Sequence, residues 1–227
     1  MMDGVRRALV VAAHPDDEIL GCGATMARLA AGGAEVRILI LATGALSRRG
    51  AAPAAVSRLK RQGRAAAKIV GAARIDFAGF PDNAMDGVPL LRVVRTVEAA
   101  VAAGKPQLVL THHAGDLNVD HRVAHEAVMT ACRPLPGAPA SVVLAFEVPS
   151  ATEWQSAARP AFAPQAFVDV AGHLDTKLAA LASYADELRE SPHPRSLAHV
   201  GDLACVRGRQ VGLAAAEAFE VARWVVR

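Results

Sequence analysis

The sequence predicts an α/β fold, a mostly parallel, doubly wound sheet flanked by helices. Short apolar segments rich in Val, Ile and Leu recur along the chain and read as buried strands. They alternate with longer segments of helical periodicity, the pattern that right-handed strand–helix–strand crossovers leave in a sequence. No internal repeat and no linker divides the 227 residues. One domain spanning 1–227 is therefore expected, long enough to bury a substantial core.

Ala8 to Ala13 is the first such segment, a short Val-containing run that stops abruptly at His14-Pro15-Asp16-Asp17-Glu18. A helical pattern follows from about Leu20 to Ala31, closed by Gly32-Gly33. Glu35 to Ala42 is the second strand, and Thr43-Gly44 ends it. A polar connection, Ser47 to Ala52, precedes Pro53, which suits the first turn of a helix to about Val70. Ile75 to Gly79 is a third strand, followed by Phe80-Pro81-Asp82-Asn83. In Val88 to Ala103, residues Leu91, Val94, Val97 and Val101 share one helical face.

Pro106 to Thr111 is the fourth strand, and a helix is expected from beyond Arg122 to about Cys132. Ser141 to Val148 is the fifth strand, and Phe167 to Val170 a short edge strand. Helices are expected over His173 to Glu190 and over about Gln210 to Glu220, with the stiff loop Ser191 to Ser196 between them.

Composition narrows the function classes. A net charge of +3 is too small to imply nucleic acid or an anionic membrane as partner. No apolar run approaches a membrane span. The three cysteines, Cys22, Cys132 and Cys205, are widely spaced, which excludes a zinc ribbon and suits reduced thiols in a cytoplasmic protein. The N-terminal apolar run ends in charged residues, not in a small-residue cleavage site, so it reads as a strand and not as a signal peptide.

The chemistry gathers at the ends of two strands. Ligands bind at the carboxyl ends of strands in open α/β sheets. An imidazole and three carboxylates there are costly to bury without a compensating cation. One reading of Asp16-Asp17-Glu18 is a capped helix start. His14, placed directly before it and after a buried strand, favours a metal site. A dinucleotide fingerprint at Gly21-Cys22-Gly23 fails, because Met26 takes the third glycine's place and the carboxylates would repel a pyrophosphate.

The second cluster follows the fourth strand. His121 could join His14 and Asp17 as two imidazoles and one carboxylate with an open fourth position, the arrangement of a catalytic zinc. Asp16 would then stand free as a general base. The other reading of Asp120-His121 is a plain helix start. Asp116 and Asn118 suit turn positions, and of His112 and His113 one is expected to face the site. Arg48, Arg58 and Arg61 are candidate substrate contacts or solvated helix residues. Trp154 is either a stacking surface for a sugar ring or a core residue.

The segment Ala13 to Glu18, AHPDDE, resembles the signature of the LmbE/PIG-L family of zinc-dependent carbohydrate de-N-acetylases. The resemblance continues through Phe80 to Asn83, His112 to Arg122, Glu147 to Ser150 and His193 to Ser196. It implies a Rossmann-like, LmbE-like fold and removal of an acetyl group from an N-acetylglucosamine-type sugar or glycoconjugate, with a metal-bound water as nucleophile. By the family's pattern His14, Asp17 and His121 bind one zinc, Asp16 is the base, and Asp82 accepts a sugar hydroxyl. Arg48, His113 and Glu147 are further candidates for substrate contact.

One departure matters. Many members carry His-Pro-Asp-His where this chain has Asn118-Val119-Asp120-His121. An amide can donate to an oxyanion but cannot serve as a general acid. Asp16 would carry both proton transfers, or His193, held between two prolines, would contribute. A His193 acting across an interface would require a homo-oligomer. The rival readings are an amidase on a sugar–thiol or other amide conjugate, and a non-catalytic sugar- or nucleotide-binding module. Imidazole and carboxylate also suit divalent ions other than zinc.

Overall fold

The computed structural model describes residues 4–44 and 53–226. In chain order the elements are β1 (Arg7–Ala12), α1 (Asp17–Ala31), β2 (Glu35–Ala42), α2 (Pro53–Ile69), β3 (Arg74–Phe80), α3 (Leu90–Gly104), β4 (Leu108–His112) and α4 (Val119–Ala131). Then come β5 (Val142–Phe146), β6 (Ala166–Asp169), α5 (Leu174–Ala182), α6 (Leu197–Arg209) and β7 (Ala216–Trp224). Among the described residues, seven strands form one sheet in the order β3-β2-β1-β4-β5-β7-β6. β1 to β5 run parallel to one another, and β7 runs antiparallel to both β5 and β6.

The buried residues of the sheet divide by the two-residue period of a strand. Ala8, Val10 and Ala12 face one core, packed by α1, α2, α5 and α6. Leu9 and Val11 face the other, under α3 and α4. Each fully buried Val or Leu contributes roughly 1.5–3 kcal/mol, so a slip of one residue in β1 would forfeit both faces.

The strand order reverses between β1 and β4. Connections from β1 run outward through β2 and β3, while β4 begins the other half. The carboxyl ends of β1 and β4 therefore flank the crevice where doubly wound sheets bind ligands. Their register, Ala8 opposite Leu108 and Val10 opposite Leu110, brings His14 and the loop after His112 to the same edge. Gly44, at φ +74, lets the end of β2 approach Pro15, since a Cβ there would lie 2.5 Å from the proline Cδ.

α1 is kinked. Cys22 has φ −149 and ψ 25, which breaks the helical ladder. Glu217 of β7 accepts the freed N–H groups of Ala24 and Thr25 at 3.1 and 2.7 Å. Lys177 neutralises it at 2.6 Å and donates to Leu20 O at 2.8 Å. A buried acid, its cation and a kink thus satisfy one another.

Two expectations are corrected at the C-terminal end. The run expected as a helix over about Gln210 to Glu220 ends instead in β7, and the helix lies earlier, at α6. Alanine's helical preference is worth only a few tenths of a kcal/mol per residue. Pairing with strands on both sides outweighs it, and the small side chains of Ala216 and Ala218 fit the buried ladder. The helix expected over His173 to Glu190 is α5 alone. It stops before Tyr184, which turns inward and is fully buried. Among the described residues no helix is long and apolar enough to cross a membrane.

Candidate metal centre

His14 closes β1, Asp17 opens α1, and His121 lies in the first turn of α4. One ligand atom from each falls within 4.8 Å of the others, and all three side chains are buried. Asp17 Oδ2 is the hub. It accepts from the His14 backbone N–H at 2.9 Å, and it lies 3.2 Å from His14 Nδ1 and 3.1 Å from His121 Nε2. His121 Nε2 nevertheless makes no aligned hydrogen bond, and neither does Asp17 Oδ1. Buried polar atoms left without partners are costly. His121 Nε2 reaches the Asp17 hub, 3.1 Å from Oδ2, as a ligand atom does.

The far nitrogen of each ring has a second carboxylate beside it, hydrogen-bonded at His14 and in close approach without an aligned hydrogen bond at His121 Nδ1. Asp120 Oδ2 lies 3.0 Å from His14 Nε2, and Asp116 Oδ1 lies 3.1 Å from His121 Nδ1. This is the carboxylate–histidine arrangement that orients imidazole ligands. Asp120 is fixed in turn by the backbone N–H groups of Asn83 and Met85 at 2.7 and 2.9 Å. Asp116 accepts from Thr152 Oγ1 at 2.8 Å. Asp82 reaches the same place, with Oδ1 3.4 Å from His14 Nε2. His14, Asp82 and Asp120 form a second set of ligand-like atoms. Asp120 is already satisfied by backbone donors, so the His14–Asp17–His121 set fits a cation better.

The charges agree. Burial lowers the basicity of His14, yet Asp120 and Asp17 lift it to about 10. Burial likewise opposes charge on His121, and Asp17 and Asp116 carry it up to about 9. The pocket stabilises positive charge. His112 differs: burial and the neighbouring His121 hold it well below the usual histidine range. Its Nε2 accepts the Ala13 N–H at 2.8 Å, and its ring stacks on His121 at 4.0 Å. His112 is thus the histidine of the pair that touches the cluster.

Asp16 occupies the N-cap position of α1 but makes no capping bond. Its φ of 112 is one that non-glycine residues rarely adopt. Glu18 Oε2 accepts its backbone N–H at 3.1 Å, and Glu18 Oε1 accepts from Tyr184 Oη at 2.5 Å. The Asp16 side chain turns instead to Arg195, whose Nη1 lies 3.1 Å from Oδ2. Burial pushes the Asp16 carboxyl up to about 7, with Arg195 pulling it down. Burial also raises Glu18, to about 8.

The other expected site residues fall at different distances from this arrangement. Asn118 caps α4: its Oδ1 accepts the Asp120 N–H at 2.8 Å and its Nδ2 donates to Asn83 Oδ1 at 2.8 Å. His193 Nδ1 accepts the Arg195 N–H at 3.0 Å, and its ring meets Trp154 edge-on at 5.7 Å. Trp154 is 52% exposed, which removes its core alternative. His113 turns away to Glu220 and Pro160. Both oxygens of Glu147 are taken by Arg207, at 2.7 and 2.6 Å. Arg48 lies outside the described residues. Arg58 pairs with Asp186.

Arg195 was not signalled by the sequence, because the His-Pro-Arg-Ser run drew attention to its histidine. The placement of Asp116 and Asp120 beside the two histidines was hidden behind their suitability as turn and cap residues.

A doubly wound α/β protein with a buried His–Asp cluster at its switch point is the class this fold and site define. The family model described as PIG-L, GlcNAc-PI de-N-acetylase, matches residues 9–132, more than half of the chain and both loops of the cluster. The chain belongs to this family. It is 32% identical over 182 residues to the protein named uncharacterized deacetylase YaiS of Escherichia coli K12, covering 78% of this chain and 89% of that one. It is 28% identical over 240 residues to a 1D-myo-inositol 2-acetamido-2-deoxy-alpha-D-glucopyranoside deacetylase of Mycobacteroides abscessus, covering 85% of each.

Two solved structures overlay with a TM-score of 0.79. One is the N,N'-diacetylchitobiose deacetylase of Pyrococcus horikoshii, at 15% identity over 98% of this chain and 85% of that one. The other is GalB, a 4-carboxy-2-hydroxymuconate hydratase of Pseudomonas putida, at 23% identity over 97% of both. The shared fold therefore does not decide the reaction, and the activity has to be argued from the site.

Proposed function

We propose that this protein is a metal-dependent hydrolase that removes the acetyl group from an N-acetylated amino sugar of the N-acetylglucosamine type, or from a glycoconjugate that contains one. The observation that carries the reading is the meeting of ligand atoms of His14, Asp17 and His121 within 4.8 Å, with His121 Nε2 unpartnered, beside an Asp16 carboxylate that makes no capping bond. The family description and the inositol-sugar deacetylase relative supply the substrate class.

His14, Asp17 and His121 would hold the ion, and zinc suits two imidazoles and a carboxylate. When bound, zinc polarises an amide carbonyl and lowers the pKa of a water to about 7. Asp16 takes the proton of the attacking water and delivers it to the amine as the C–N bond breaks, so that acetate and a protonated amine leave. Its carboxyl, balanced between burial and Arg195, can both accept and return a proton near neutral pH. Asn118 keeps one amide hydrogen beyond the bond to Asn83, and it is the donor for the developing oxyanion. With Nδ1 accepting from Arg195, neutral His193 carries its proton on Nε2 and is a second donor. Asp82, buried beside His14, is the acceptor for a sugar hydroxyl.

The test measures metal content and acetate release together, on wild type and His121→Ala, with N-acetylglucosamine, N,N'-diacetylchitobiose and N-acetylglucosaminyl inositol as substrates. About one zinc per chain, lost with activity in the variant, is the expected result. A protein that binds no divalent ion, and releases no acetate once one is added, would return the reading to a non-catalytic sugar-binding module.

A further inference from the structure

Arg195 lies outside the residues that the family model matches. It approaches the site from the loop before α6, immediately ahead of the cap residue Ser196. Its guanidinium spans two other loops. Nη1 donates to Asp16 Oδ2 at 3.1 Å, after β1, and Nε donates to Ser150 Oγ at 2.8 Å, after β5. Its backbone N–H donates to His193 Nδ1 at 3.0 Å. Three loops that share no sequence neighbourhood are joined through one side chain.

Both partners have unusual backbones. Asp16 has φ 112 and Ser150 φ 69. These conformations aim their side chains away from the course a regular helix start or turn would give them. The Asp16 main chain is anchored by Glu18, but its carboxylate has no partner in its own helix. The Arg195 bond fixes the rotation of the side chain. The Arg195 side chain is 23% exposed and that of Asp16 3%, so the bond is largely withdrawn from water, where a charge-assisted bond is strong and directional.

We propose that Arg195 is a positioning residue for the hydrolysis, clamping one oxygen of Asp16 against Ser150 so that the other is presented to the reacting water. The proposal rests on the reading of Asp16 as the base. A base must stand within hydrogen-bond reach of the proton it takes, and a misplacement of about 1 Å costs on the order of 10²-fold in rate. Arginine suits the role because its planar fork serves both partners at once, which a lysine cannot do.

The experiment is a double-mutant cycle on metal-loaded protein, read as acetate release from whichever of N-acetylglucosamine and N,N'-diacetylchitobiose the wild type hydrolyses. Arg195→Ala is expected to lower kcat on the order of 10²-fold, with KM and metal content unchanged. Arg195→Lys should regain part of that loss. In the Asp16→Asn background, Arg195→Ala should cost nothing further, because a residue acting only through Asp16 has nothing left to position.

An equal loss in both backgrounds, or a raised KM at unchanged kcat, would show that Arg195 meets the substrate itself and would overturn the proposal. If Asp16→Asn is inactive and Arg195→Ala is not impaired, the proposal fails alone. If Asp16→Asn keeps wild-type turnover, the base assignment fails first. Ser150→Gly, whose backbone conformation suits glycine, guards against misfolding and should lower kcat several-fold without touching the substrate. Independently of any substrate, the Arg195 Nε–H should give a slowly exchanging NMR signal that is lost in Ser150→Gly. A rapidly exchanging Nε–H in the wild type would refute the clamp.

Discussion

His14 Nε2 lies 3.0 Å from Asp120 Oδ2, so the ring nitrogen turned away from Asp17 is already held by a carboxylate. Asp120 is two residues beyond the Asn118 cap and one before His121. The turn that starts α4 therefore supplies a ligand and the orienter of another ligand. Helix start and candidate metal site share one turn here, so the capped-helix reading and the metal reading of the sequence do not exclude each other.

Asp120→Asn tests that coupling. The amide keeps an oxygen for the Asn83 or Met85 N–H but loses the charge facing His14. Loss of a supporting carboxylate typically weakens metal binding by about 10–100-fold. A competitive chelator titration should find a weakening in that range with the fold retained. Unchanged affinity would mean that His14 needs no orienter.

Asp16→Asn separates proton transfer from metal binding. Asp16 contributes no atom to the His14–Asp17–His121 set. The variant should keep its metal and lose turnover by about 10²–10⁴-fold, the usual contribution of a positioned base. Wild-type turnover would remove Asp16 from the mechanism.

Tyr184→Phe probes the support beneath Asp16. Tyr184 is fully buried and donates to Glu18 Oε1 at 2.5 Å. The variant leaves that acidic oxygen without this donor in the core. Chemical denaturation should show a loss of about 1–3 kcal/mol, and the loss should persist in metal-free protein. A neutral effect would mean that a water replaces the hydroxyl.

Much of this molecule was legible in its sequence, and the limits were physical. β2 was read to the residue because it alternates at first, then becomes apolar as a buried parallel strand does, and is bounded by turns. His14, Asp17 and His121, which the structure brings together, stand out in the sequence because buried imidazoles and carboxylates at strand ends demand compensation. β7 was missed because Ala-rich strands carry little period-two contrast, and only its two neighbours reveal it. Arg195 was missed because its partners, Asp16 and Ser150, are 179 and 45 residues away in sequence. Nothing local marks such a contact.

Trp154→Ala tests the exposed aromatic wall. The indole is 52% exposed and is braced edge-on by His193, a neighbour of Arg195. Stacking on a sugar ring would be worth about 1 kcal/mol, so KM for N-acetylglucosaminyl conjugates should rise roughly five- to tenfold with kcat unchanged. Tryptophan fluorescence, read in a Trp224→Phe background, should change on ligand addition through Trp154 alone. An unaltered KM would make the ring an idle surface group.

His113 and Glu220 set a pH dependence of stability that is separate from catalysis. His113 Nδ1 lies 2.6 Å from Glu220 Oε2 and its Nε2 lies 2.9 Å from Pro160 O. Both partners are acceptors, so both nitrogens must donate and the ring is an imidazolium. Burial opposes that charge, but the bond to Glu220 raises His113 overall. Burial also opposes charge on Glu220, yet His113 and the Ala163 N–H lower its carboxyl overall, with His125 adding to the effect. The raised histidine stabilises the fold fully below its unfolded value of about 6.5 and loses that effect as pH rises through its folded value. The lowered glutamate stabilises above about 4.3 and loses that effect as pH falls. The two windows overlap between about pH 4.3 and 6.5. Glu220→Gln should therefore cost most near pH 5.5, about 1–2 kcal/mol for a charged hydrogen bond of this burial, and progressively less as pH rises through the raised folded value of His113. Denaturation midpoints of both proteins from pH 4 to 9 measure this directly. A difference that grows towards pH 9 would mean that His113 is neutral and that the bond is not an ion pair.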